Sequence, residues 1–257
     1  MQDSITVGTE PTVRYLLRLG DTCLIHAQRL GEWCGHAPII EEDIALTNIA
    51  LDLIGQARGI LTRAGQLDSR QFDEDQLAFL RDERDYLNPT LVELPRGDFA
   101  VTTVRNLMVA ALLEPLWDRL RSSADAEVAA VAGKAVKEAR YHHVHAADWL
   151  VRLGDGTAES RRRIEAALDR LWPYSRELFQ SDAIDDAASA SGLGPRWAEL
   201  REPWLAAVRD ALDAAGLEMP AETTFLSAGR MGIHSEHMGH MLAEMQHLQR
   251  SYPGGVW

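Results

Sequence analysis

Long blocks of this chain place apolar residues three to four positions apart, Gly or Pro closes most of them, and strand-like alternation is scarce. A chain of that pattern is confined to helices packed along their lengths. Residues 11 to 34 open on Pro11, which suits a first helical turn, and run through Tyr15, Leu16, Leu19, Cys23 and Leu30 to a stop at 35 to 38. A second helix covers 41 to 63 with Gly65 as its stop, and a shorter one covers 73 to 86, before Asn88 and Pro89. A third long helix spans 98 to 122, with Pro115 inside it removing a backbone donor. The fourth runs from 125 to 153. Thr157 and Ser160 cap a fifth, which reaches Trp172 and meets Pro173. Residues 196 to 215 give a sixth, stopped by Gly216, and 234 to 250 a last one. No low-complexity linker or short repeat intervenes, so 1–257 reads as one helical domain.

The formal net charge of -13 argues against a nucleic-acid partner, which would need a basic patch. An anionic acyl-CoA is not excluded, because local patches outweigh the sum; Arg161, Arg162 and Arg163 form one such patch, read as a solvated helix face. Cys23 and Cys34 lie in an apolar stretch and read as buried thiols rather than a disulfide. The first residues show no basic region before an apolar run, and no apolar stretch approaches the roughly 18 residues of a membrane span. The expectation is a cytoplasmic protein with no membrane contact.

Polar residues on faces that should be apolar carry the functional signal. From Ile44 to Ala57 the second helix has one charge, Asp52, so it is expected to be buried on most sides. Asn48, Asp52 and Gln56 fall on one stripe, bordered by Gly55 and Gly59, which allow a neighbouring helix close. On the fourth helix Glu138, His142 and His145 share a face with Val128, Val131, Ala135, Ala139, Ala146 and Trp149, and Tyr141 and His143 diverge to its flanks. A carboxylate with a histidine one turn on serves a metal site in a bundle, or equally a buried hydrogen-bonded pair. Dinuclear carboxylate bundles need a Glu from each of two helices and a Glu-x-x-His from each of the other two. Here Tyr141 stands three after Glu138 and Gly55 three after Asp52, so the set is incomplete. Asp52, Glu138 and His142 are expected to form a polar cluster in place of such a site, linked to the first or third long helix. The alternative is a di-iron or di-manganese oxygenase or oxidase in its own right, which would need Glu32, Glu114 or Asp118. Near the C-terminus Met238, Met241, Leu242, Met245 and Leu248 form a core stripe, with His240 and His247 opposite it at a surface or interface.

Several segments resemble the C subunits of bacterial phenylacetyl-CoA epoxidases: residues 19 to 58, 79 to 105, 134 to 160, 168 to 179 and 234 to 257, with GEWCGHAP and LAEMQHLQR among the most specific strings. The resemblance implies an all-α, ferritin-like helical bundle with additional helices. It implies a non-catalytic subunit supporting a catalytic A subunit that carries a di-iron centre, with a small B subunit and a reductase using NADPH, flavin and iron–sulfur. No cofactor is then expected in this chain. It also suggests approach of the acyl-CoA at Asp85, Tyr86, Leu87 and Asn88, and at Asp186, Ala187 and Ala188, the second segment departing from the apolar residues expected there.

Overall fold

The computed structural model describes residues 2–255; the last two residues of the C-terminal resemblance, 256 and 257, lie outside the described residues. Four long helices build the frame: α1 (Pro11–Gly31), α2 (Ile40–Leu67), α5 (Phe99–Leu120) and α6 (Ala126–Gly154). Between α2 and α5 lie α3 (Glu74–Phe79) and α4 (Thr90–Glu93). After α6 come α7 (Ala158–Leu171), α8 (Ala183–Ser191), α9 (Arg201–Ala214), α10 (Glu236–Met245) and α11 (His247–Ser251). Helix α1 packs on α2, α5 on α6, and α2 on α6; α7 and α9 cover the other side of α5, and α8 lies on α1. The result is an all-α bundle of the ferritin-like kind with additional helices.

Local chemistry accounts for the helix starts. Asp98 accepts from Val101 N at 3.0 Å and Asp125 from Glu127 N at 3.1 Å, while Thr157 and Ser160 form a reciprocal capping box. Apolar side chains from every long helix join one buried cluster, in which Leu112, Leu116 and Trp117 of α5 are fully enclosed.

Several elements depart from the pattern-based expectation. Gly65 does not stop α2, which continues to Leu67. Its role is close approach: a Cβ there would sit 1.8 Å from the Phe72 carbonyl oxygen. The helix expected over 73 to 86 shortens to α3 plus a 3-10 turn at Glu83–Asp85. The last helix breaks at Gln246 into α10 and α11. Asp186, Ala187 and Ala188 belong to α8, a helix the sequence pattern did not single out. Cys34 is exposed rather than buried, and both cysteines are free.

Helices α2 and α5 are, contrary to expectation, long and apolar enough to cross a membrane by length and composition alone. For α5 the packing explains the composition, since 83% of its apolar window is buried inside the fold. For α2 it does not: only 44% is buried, and Ile40, Ile44 and Leu51 face outward. The expectation that α2 is enclosed on most sides fails because no element among the described residues covers that face.

Buried ion pairs tie the short helices to the frame. Arg81 and Asp21, both fully enclosed, bond each other, and Leu87 N donates to Asp21 at 2.9 Å. Arg18 pairs with Asp182, and Arg230 with Asp185 at 3.0 Å, fastening the C-terminal segment to α1 and α8. Glu93 accepts from His234 Nδ1 at 2.6 Å. Burial alone would make that histidine harder to protonate, but the Glu93 carboxylate outweighs it and holds its pKa above the ordinary imidazole value.

Candidate functional site

The polar cluster forms in the seam between α2 and α6. Asp52 Oδ2 is 3.1 Å from His142 Nε2, and Gln56 Nε2 donates to Glu138 Oε2 at 3.0 Å. A turn or more away, His145 Nε2 meets Glu42 Oε2 at 3.0 Å. These pairings run 42 to 145, 52 to 142 and 56 to 138, so the two helices are antiparallel here. Gly59 has the expected role, since a Cβ there would lie 2.8 Å from Val131 Cγ2 of α6; Gly55 does not, having nothing within 4 Å.

Residue order does not reveal how central Gln56 is. Its Oε1 accepts from Trp117 Nε1 of α5 at 3.2 Å and from the Cys23 thiol of α1 at 3.6 Å, while its amide donates to Glu138. One neutral side chain thus joins all four frame helices. The only hint in the sequence is its place in the stripe with Asn48 and Asp52. Asn48 itself is exposed, and Asp52 is half-buried rather than enclosed.

His26 of α1, which no sequence pattern marks, lies inside the bundle. Burial, the positive Arg105 and the nearby His142 push its pKa down to about 3, against a weaker pull from Asn106. Among the described residues His26 Nδ1 and Asn106 Oδ1 find no hydrogen-bond partner. His142 is likewise lowered, chiefly by burial, although Asp52 and Glu138 favour its charged form. Burial pushes the Cys23 thiol up, with Glu138 and Asp21 adding to the effect, so it stays protonated.

This arrangement does not fit a two-metal carboxylate centre. The inward positions of α1, α2 and α5 hold His26, Gln56 and Asn106, and an amide is a poor substitute for a bridging carboxylate. The carboxylates that a complete set would recruit are engaged elsewhere. Glu32 pairs with Arg29, Asp118 with Arg121 at 2.8 Å, and Glu114 with His143 at 2.8 Å and Arg140 at 3.0 Å. For Glu114, partial burial raises the pKa, but the bonds from His143 and Arg140 outweigh it and hold it below the usual range. Among the described residues no three His, Cys, Asp or Glu side chains converge as ligands.

The residues singled out for acyl-CoA lie apart from this cluster. Tyr86, Leu87 and Asn88 are wholly enclosed. The Tyr86 hydroxyl donates to Ala78 O, and burial pushes its pKa up to about 12. Asn88 Nδ2 donates to Glu93 at 2.9 Å. Asp85 is half-buried and Asp186 exposed, the latter paired with Arg196 at 2.6 Å; Ala187 is half-buried and Ala188 buried. A cavity of about 540 Å³ lies elsewhere, lined by Trp172, Arg176, Phe179, Arg201, Trp204 and Arg209 among others. His240 and His247 are exposed, while Met238, Met241 and Leu242 pack inward as expected; Met245 is half-buried and Leu248 is exposed.

Fold and site together describe an all-α, ferritin-like bundle with a hydrogen-bonded polar network between its long helices. The chain belongs to the phenylacetic acid catabolic protein family, whose sequence model matches residues 1–257. It is similar to the C subunit of the 1,2-phenylacetyl-CoA epoxidase of Escherichia coli (strain K12), with 49% identity over 243 residues, covering 95% of this chain and 98% of that protein.

Proposed function

We propose that this chain is the non-catalytic, structural subunit of a multicomponent epoxidase acting on the aromatic ring of phenylacetyl-CoA in phenylacetate degradation. The observation that carries the reading is 49% identity, over nearly the whole of both chains, to the C subunit of such an enzyme. The polar seam supports it from within: Asp52, Glu138 and His142 bond one another's helices instead of presenting a ligand set. In this reading the chain is one ferritin-like domain, cytoplasmic, and without a cofactor of its own. A related catalytic A subunit holds the di-iron centre, a small B subunit joins it, and a reductase passes electrons from NADPH through flavin and iron–sulfur.

Acyl-CoA approach at the segments 85 to 88 and 186 to 188 is part of the same proposal. With Tyr86, Leu87 and Asn88 enclosed, the atoms available there belong to Asp85 and to the Asp186 end of α8.

Metal analysis of the chain alone after anaerobic loading with Fe(II), paired with an oxygen- and NADPH-dependent turnover assay with and without the A subunit, tests the proposal. We expect far less than one iron per chain, no turnover alone, and increased turnover when the chain joins the A subunit with B and reductase. About two irons per chain with turnover in the absence of A would overturn it.

A further inference from the structure

The 3-10 segment Trp172–Phe179 winds three residues to the turn, which sets Arg176 and Phe179 on one side of it. On α9, Arg201, Trp204, Leu205 and Arg209 follow one another at intervals of three, one and four residues, and so share a face. The two faces meet. The Trp172 and Trp204 rings stack with centroids 5.4 Å apart, and Phe179 leans on Trp204 at 5.2 Å. Trp204 Nε1 donates to Met108 O of α5 at 2.8 Å, which fixes that indole against the frame. Residues 219 to 224 close a third side, where Arg176 Nη1 donates to Thr224 O at 3.0 Å and Arg201 pairs with Glu222 at 3.4 Å. Between them lies the cavity of about 540 Å³, within the ~300–1,000 Å³ usual for ligand sites. It shares no lining residue with the α2/α6 seam or with the segments 85 to 88 and 186 to 188.

We propose that this cavity binds an aromatic carboxylic acid in its ionised form, with the ring on the apolar floor and the carboxylate on Arg176 and Arg209. Three arginines line it against one carboxylate, Glu222, so the cavity is locally cationic in a chain whose net charge is -13. Arg201 is already shared between Glu202 at 3.1 Å and Glu222. Arg176 bonds a carbonyl oxygen and no carboxylate, and Arg209 makes no hydrogen bond or ion pair among the described residues. Two guanidinium groups that lack a carboxylate, beside a ring-lined floor, are complementary to a flat apolar body that carries its own carboxylate. Guanidinium and carboxylate match as two forks, and aromatic rings pack edge to face or offset. An uncharged aromatic would leave both cations without a counter-charge. A small inorganic anion would leave the floor of Phe179, Leu205 and Met219 facing water.

The inference stands apart from the epoxidase reading, and either can fail without the other. The test is calorimetric titration of the full-length chain with phenylacetate at neutral pH, beside octanoate, adenosine monophosphate and inorganic phosphate. Arg176→Gln and Arg209→Gln change exposed positions, so the fold is expected to survive, checked by helical circular dichroism and melting. Arg162→Gln, at an exposed position on α7 where the side chain pairs with Glu159, is the control. We expect saturable one-site binding of phenylacetate, unchanged in the control and weakened about tenfold by each cavity variant. No saturable binding in the millimolar range would overturn the site. Binding that the folded cavity variants leave unchanged would put the ligand elsewhere and overturn the assignment. Adenosine monophosphate bound more tightly than phenylacetate would make this a nucleotide site. Octanoate bound as tightly would remove the aromatic class, and phosphate bound as tightly would reduce the cavity to a general anion site. Each of these three results overturns the proposal.

Discussion

Replacing His26 with Leu should change how stability depends on acidity more than it changes stability itself. The imidazole is 2% exposed, and burial with neighbouring positive charge lowers its pKa from 6.5 to about 3. The unfolded chain therefore takes up a proton near pH 6.5 that the folded chain refuses until about pH 3. Stability from this group is full above pH 6.5 and is lost as the pH falls toward 3. The slope is about 1.4 kcal/mol per pH unit for one proton, so lowering the pH from about 7 to about 5 removes about 2 kcal/mol. Leu is of similar size, has no proton to take up, and removes the unpartnered Nδ1. Urea unfolding of both proteins at the two pH values measures the difference. We expect the variant to gain about 2 kcal/mol on wild type between them. His234 has the opposite sign, since its raised pKa gives stability that is present below pH 6.5 and lost as the pH rises through the folded value. It is common to both proteins and cancels. Parallel loss of stability in the two would refute a neutral His26 in the folded chain.

Other expectations concern packing and charge. Asp21→Ala strands the fully buried Arg81 and should cost about 3–5 kcal/mol by urea unfolding, whereas adding Arg81→Met should recover part of it; an unchanged midpoint in the single variant would refute the pair's role. Gly65→Ala sets a methyl against the Phe72 carbonyl, a severe overlap that should cost several kcal/mol and lower the melting temperature, while Gly55→Ala, facing open space, should raise stability by up to about 1 kcal/mol.

Much of the helix architecture and half of the site were legible in residue order. Helical period alone puts Asp52 and Gln56 on one stripe and Glu138 and His142 on one face, and an incomplete Glu-x-x-His set is visible as spacing. What periodicity cannot show is which neighbour covers a face. An all-apolar row reads the same whether it meets the core or a partner, so the pattern puts α2 inside, whereas of α2 and α5 only α5 is enclosed. Nor can it show that Gln56 rather than Asp52 joins four helices, because that needs Cys23 and Trp117 brought to it from 33 and 61 residues away. Arg81 and Asp21, 60 positions apart, each read as surface charges in sequence and become one buried pair only when α1 and the turn after α3 are packed together. The sequence by itself determined the helices and the faces their polar residues share, since those follow from local geometry. The tertiary structure decided burial, partners and the open face of α2, since those depend on what the rest of the chain does and does not cover.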